Sequence, residues 1–564
     1  MVFLRLVLAR LKKSYPPEAT PALALWFLLL LIQAPLWLDG RPGILDAPVI
    51  AYVCQKFNWR HLLSVVDIMG FGNQARPLQF LAFLPAFVSR DPWFYHLFQN
   101  VFVLLLTSYL IFSLAYMYTR RAWLSFLAAF SALITPPYTP NWFVLWTMEP
   151  YMLFGILGFS YILLRLLSPA PPSRVAWLTY NVTGVLFAAY AVGVKEVGLM
   201  SSLALSFAAF ILARFHHLSF DDLLSRAWPA LTALESAAVL VLVKLLTIPH
   251  PYDAGGTGGY VISTVPILLS LQKFIIYFID AAPYAWIALL AWFILISLPS
   301  DLNHPRASST PLRTRCLAAL IFFLIAFAMA GVYVPWQVFD ARYLLVPSVF
   351  FVIAAWLVAD ALFFVAPLFS HFAARFSARA AAVLIVTLIL LHTAYTLAVG
   401  PLSEGPARYG LAAAYDDMFR YLASSAPTNA TIYFFMDARF PEARENTVHS
   451  LNVFYNRPDL RIIFPSRISS FRRPGLLVVS EYQFPMNYTR MPVHHEANER
   501  FTFLIQPQLS LRKLASFIHE TPVWYAREEH NAVQYSSLWG LPAFWGLKSG
   551  TYRFGWTIYE FHKP

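Results

Sequence analysis

Through the first 400 positions, apolar residues gather in runs long enough to cross a bilayer, separated by short polar or basic connections. The runs predict spans at 22–38, 96–118, 122–135, 150–167, 176–194, 197–213, 228–248, 283–298, 316–334, 343–365 and 381–399, eleven in all. If eleven spans alternate, the basic clusters Arg120-Arg121, Arg174, Arg214 with Arg226, Arg306 with Arg313 and Arg315, and Arg375 with Arg379 share the side of the N-terminus. Lys and Arg collect in cytoplasmic connections, so the N-terminus is expected inside. The start is itself basic (Arg5, Arg10, Lys12, Lys13), and no small-x-small cleavage site follows the first apolar run. That run reads as a retained helix rather than a signal peptide. The stretch 264–280, interrupted by Lys273 and Asp280, would reverse this arrangement if counted as a span. It reads instead as an interfacial helix on the outer surface, preceded by a glycine-rich loop.

After Gly400 the long apolar runs stop. Helical stretches near 408–424 and 443–455 alternate with the β-like runs TIYFFM, LRIIF, GLLVVS and YRFGWTIYEF. The pattern predicts an all-α polytopic membrane domain, 1–400, followed by a small extracytoplasmic α/β domain, 401–564. No internal repeat and no tetratricopeptide pattern is present.

Composition narrows the class. The 564-residue chain is 59% hydrophobic and only 12% charged, against about a quarter charged in a soluble domain. Its mean hydropathy is +0.58. The net charge of +12 fits basic cytoplasmic loops beside anionic lipid and does not argue for nucleic-acid binding. Two cysteines, Cys54 and Cys316, fall at opposite faces and are expected to stay unpaired.

Candidate chemistry concentrates in one place, the long outer loop 39–95, which sets isolated charges among apolar segments. Asp46 follows the first helix in LDAPVIAYV. A carboxylate near a low-dielectric surface suits general-base work, while Asp before Ala-Pro also suits a helix cap. Asp67 and Arg76 flank Gly70 and Gly72, so the two side chains have room to converge. Arg76 offers either a fork for phosphate oxygens or a structural partner for Asp67. His96 and Asn100 share one face of the second span, and no further His or Cys at ligand spacing accompanies them, which argues against a zinc site. Lys195-Glu196 lies at the outer end of the fifth span, where charges are costly and either functional or paired. Arg342, in FDARYLLVPS with Asp340 nearby, opens the tenth span on the same face. The GGTGGY glycines give no nucleotide-binding fingerprint, and no cofactor is expected.

In this order, the pieces resemble the GT-C superfamily of membrane glycosyltransferases, which take sugars from polyprenyl phosphates. The pattern is nearest to the transmembrane O-mannosyltransferases with tetratricopeptide tails and their bacterial relatives. ILDAPVIAYV at Asp46 resembles the family's acidic motif after the first helix. Asp67-Ile-Met-Gly70 with Ala75-Arg76-Pro77-Leu78 is similar to its Asp-aromatic-x-Gly and Tyr-Arg-Pro-Leu elements. Pro92, His96 and Asn100, then Lys195-Glu196, then Arg342-Tyr343 through Ser348 match later elements. The family's paired acids are here Leu45-Asp46, its Tyr before Arg-Pro is Ala75, and its tail is absent.

The resemblance implies an inverting hexosyl- or pentosyltransferase at the outer membrane face. Asp46 would be the base, with Asp67 as the second catalytic acid, and Arg342 with Arg76 and Lys195 would hold the donor phosphate. His96, Glu196 and Tyr343 would complete the site, with no metal. The expected partners are a polyprenyl-phosphate-linked sugar, membrane lipid and an acceptor protein, lipid or glycan. The alternatives are a flippase for a lipid-linked sugar, which should carry midplane charges and repeated halves, and a non-catalytic assembly subunit.

Overall fold

The computed structural model describes residues 18–41, 50–52, 54, 76–145, 147–247, 268, 271–272, 275, 282–297, 312–333, 341–369, 372–435, 441–465, 473–483, 510–526 and 547–562. The expected interfacial helix 264–280 therefore lies almost wholly outside the described residues.

Each of the eleven apolar runs meets a helix. In chain order these are α1 (Ala19–Ile32), α2 (Pro92–Thr119), α3 (Ala122–Leu133), α4 (Met148–Leu166), α5 (Arg174–Gly193), α6 (Gly198–Phe215), α7 (Phe220–Thr247), α8 (Pro283–Ile296), α9 (Leu312–Gly331), α10 (Leu345–Val365) and α11 (Phe372–Val399). Among the described residues, eight helices are long and apolar enough to cross a membrane, while α1, α3 and α8 are shorter. The chain is an integral, multi-pass membrane protein. α10, almost purely Leu, Val, Ile, Phe and Ala, is buried along nearly its whole length at the centre of the bundle. α5 and α7 lie at the edge and leave apolar faces outward, as lipid-facing helices do.

The helices alternate in direction, so their ends sort into two sets. Arg120, Arg121, Arg165, Arg214, Arg226 and Arg315 gather at one end. There Arg315 and Asp360, both nearly fully buried, pair at 3.2 Å, and the Arg315 guanidinium rests 4.5 Å over the Phe364 ring.

The C-terminal part stands at the other end. A π-helical turn, Gly400–Glu404, leads from α11 into α12 (Gly405–Ser425). Then follow β1 (Thr431–Phe435), α13 (Pro441–Val453), β2 (Arg461–Ile463), β3 (Gly475–Gln483), β4 (Ser510–Ala526) and β5 (Leu547–His562). The sheet order is β2-β1-β3-β5-β4, parallel from β2 to β3 and antiparallel thereafter. α12 packs Leu411, Met418, Phe419 and Leu422 on one sheet face against Phe434, Phe554 and Trp556. The sheet thus sits on the bundle through α12.

One residue ties the two parts together. Gly40 ends the short helix Ala34–Asp39 in the left-handed conformation, φ +58°, with Trp93 so close that a Cβ would sit 2.5 Å from it. Only glycine meets both demands. The turn presents Arg41, whose guanidinium donates to Asp39 at 2.5 Å, to Asp416 at 3.0 Å and to Asp417 at 2.6 Å. The Tyr409 hydroxyl donates to Asp39 and the Tyr455 hydroxyl to Asp416. His519 of β4 meets Asp417 at 3.0 Å. Burial opposes the charge on Asp417, yet hydrogen bonds from Arg41 and His519 outweigh it and hold the carboxyl below its ordinary range.

A lowered carboxylate value stabilises the fold above the unfolded value, near pH 4, and that contribution is lost as pH falls through the folded value. Arg41→Ala should therefore cost about 1.5–3 kcal/mol at neutral pH, the worth of a hydrogen bond to a charged group. The gap to wild type in thermal unfolding should close below about pH 4. A gap that does not vary with pH would show that the junction is not held by charge.

Candidate functional site

At the sheet-bearing end, four charged side chains meet, Glu149, Lys195 and Glu196 buried and Arg76 half-buried. The turn after Arg76 is fastened by Leu78 N–H donating to Gly193 O at 3.0 Å. Gly193 ends α5 so close to Leu78 that a Cβ there would sit 2.4 Å from it. Residues 194–197 connect α5 to α6, and this connection is stiffened by Gly198 N–H donating to Lys195 O at 2.9 Å. Ser201 adds bonds from its hydroxyl to Ala191 O at 2.9 Å and Gly198 O at 2.6 Å. The sequence thus presents two adjacent charged side chains from a short, doubly bonded connection.

Adjacent residues diverge, and each takes a remote partner. Arg76 grips Glu196 with both arms of its fork, Nε to Oε2 at 2.5 Å and Nη2 to Oε1 at 3.1 Å. Burial opposes the charge on Glu196, but the Arg76 guanidinium beside it prevails and keeps the carboxyl low. Lys195 donates to Glu149 in the first turn of α4, with both side chains nearly fully buried. The Lys195 ammonium also lies 4.2 Å from the centre of the Tyr343 ring and 5.9 Å from that of Tyr333, which stack on each other. Tyr343 belongs to the 3₁₀ turn Ala341–Leu344 that opens α10. Two cations, two carboxylates and two aromatic faces therefore make a buried polar cluster of zero net charge. Such a cluster has little reason to exist for stability alone, since apolar packing would serve as well.

His96 stands apart from this cluster. Its Nε2 lies 2.8 Å from Arg41 O, and Asn100 Nδ2 lies 3.0 Å from its Nδ1. A carbonyl only accepts, so Nε2 carries the proton and Nδ1 accepts from the amide. His96 is thus a strut beneath Arg41, and among the described residues no cluster of His, Cys, Asp or Glu is arranged for a metal. Three π-helical turns, Leu97–Val103, Ala189–Gly193 and Gly400–Glu404, lie at this end of the bundle. Turns of this kind are frequent at functional sites.

Of the residues singled out from the sequence, Arg76, Lys195, Glu196 and Tyr343 come together. Arg342 has its backbone in the turn beside them, and its side chain lies outside the described residues, as do Asp46 and Asp67. The stretch containing Asp46 is entered and left through anchored residues, Arg41 on one side and the buried Ile50 and Ala51 on the other. Sequence reasoning missed Glu149. Its signal was isolation, for Glu149 is the only acid between Asp91 and Glu196.

No family model and no curated protein matches the chain. Among solved structures it is similar to ArnT from Cupriavidus metallidurans bound to undecaprenyl phosphate, with 14% identity, 88% of this chain and 95% of that chain covered, and a TM-score of 0.40. It is similar to the apo state of the same protein with equal identity and coverage and a TM-score of 0.39.

Proposed function

We propose that this chain is an inverting glycosyltransferase of the GT-C kind, moving a sugar from a polyprenyl phosphate to an acceptor hydroxyl at the extracytoplasmic face. The observation that carries the reading is the buried cluster of Arg76, Glu196, Lys195 and Glu149 under Tyr343, at the end of the bundle where the sheet docks. Its membership overlaps the motif elements that resemble that superfamily, and it lies opposite the basic end that anionic lipid favours inside.

In this reading Asp46 takes the proton of the acceptor hydroxyl as its oxygen attacks the anomeric carbon. The bond from that carbon to the phosphate oxygen breaks on the opposite face, so the configuration inverts and the polyprenyl phosphate leaves with one more negative charge. Arg342 meets that charge, and Lys195 lies one ring away, behind Tyr343. Fixed cations aimed where charge develops lower the barrier because they need no reorganisation. Arg76, engaged by Glu196 through two bonds, acts by holding the Lys195-Glu196 connection in place rather than by binding phosphate. The transport alternative calls for charge lining a path through the bundle, whereas the mid-depth carboxylate Glu235 is on its exterior.

The test is donor titration of the purified chain in lipid with a polyprenyl-phosphate sugar. Arg342→Ala should raise the donor KM and lower kcat/KM by about a hundredfold or more, the cost of losing one charge-stabilising group. Arg342→Lys should recover part of this, since a point charge lacks the fork. Normal donor saturation with a lowered melting temperature would assign Arg342 to an ion pair with Asp340 instead.

A further inference from the structure

Glu235 sits in the middle of α7, about 22 Å from one end of the helix and about 18 Å from the other at 1.5 Å per residue. It is exposed on the outside of the bundle, in a helix whose outward surface is mostly apolar, with Trp228, Val239 and Val243 each more than half exposed. Thr232 and Ser236, also exposed, share its face at helical spacing, so the outward stripe has a polar notch at mid-depth. The neighbouring α6 answers the carboxylate only in part. Ser202 and Ser206 both donate to the same oxygen, Oε1, at 3.2 Å and 2.5 Å. Among the described residues nothing donates to Oε2, and no cation pairs with Glu235.

A carboxylate turned to hydrocarbon disfavours insertion on the order of a hundredfold, and such groups persist in membranes where something pairs with them. We propose that this notch is the docking site for a transmembrane helix of another membrane protein, one that carries a Lys or Arg at matching depth. Charge decides among the occupants. A second copy related by a two-fold axis brings another carboxylate to the same place, like facing like. A lipid headgroup stays at the interface, on the order of 15 Å from the midplane of a bilayer core about 30 Å thick. A cationic side chain on a helix reaches Oε2 directly, and the small hydroxyl residues Thr232 and Ser236 let the two backbones approach closely.

The probe is a synthetic leucine–alanine transmembrane peptide with one central lysine, beside a twin with leucine at that position. Each is mixed with the dye-labelled full chain in phosphatidylcholine vesicles, and association is read by energy transfer. The lysine peptide should associate about tenfold more tightly than its twin. Glu235→Gln keeps acceptor oxygen for the two serines and should erase the preference. Thr232→Trp, which fills the notch and leaves the carboxylate, should erase it as well.

In native membranes, a photocrosslinker at Thr232 should yield an adduct whose partner segment carries a basic residue at mid-span. Equal binding of the two peptides, or a preference that survives Glu235→Gln, overturns the proposal. So does a native adduct only to lipid, or only to a second copy of this chain.

Discussion

An Asp46→Asn chain should fold, insert and bind its lipid donor like the wild type, yet lose transfer by about 10²–10⁴-fold, the usual worth of a positioned general base. Asparagine keeps the shape and some of the hydrogen bonding of aspartate, including its ability to cap a helix, but cannot take the acceptor proton. Capping and base roles thus separate cleanly in this one substitution. The residues on either side of the stretch, Arg41 and Ile50, are fixed at the end of the bundle where the buried cluster lies. Single-turnover transfer with saturating donor is the measurement that matters, because it isolates the chemical step from binding. Near-normal turnover would remove Asp46 from the reaction and shift the role of base to Asp67.

The second large effect is on stability. Lys195→Ala should destabilise the chain by about 3–5 kcal/mol, because it leaves the Glu149 carboxylate buried without its partner. Glu149→Ala should cost a similar amount for the converse reason. The double variant Glu149→Gln with Lys195→Met should recover most of the loss, since no buried charge then stands alone. Thermal unfolding of the four purified chains decides the point. Donor titration on the double variant adds a further distinction, for a folded chain that has lost donor use assigns Lys195 a role beyond holding Glu149. Single variants no worse than the double would show that the two side chains are not coupled.

How far the sequence could be read follows from where the physics is local. Spans are local, since a run such as LVPSVFFVIAAWLVADALFFV has nowhere to go but an apolar interior, and it became α10. Strands β1, β2, β3 and β5 were legible from their β-branched and aromatic runs. β4 was not, because Arg512, Lys513, Glu520 and Pro522 break its alternation. Among the described residues it is an edge strand, paired on one side only to β5, and an edge tolerates charge and proline. The cluster was legible in its members and not in its pairings. Lys195 beside Glu196 invites the reading of a mutual pair, but consecutive side chains point apart, and their partners lie 46 and 120 positions away. His96 with Asn100 was legible as a local pair, whereas its bond to Arg41 depended on the turn at Gly40.

Arg41 also sets an order of events during synthesis. The atoms it joins lie 375 residues apart, and every span after the first falls between them. At roughly 5–20 residues per second, a ribosome needs about 20–75 s to bridge that interval. Arg41 therefore waits, synthesised but without Asp416 and Asp417, until α12 arrives. A nascent chain carries its membrane bundle long before it carries the bond that completes this end of it.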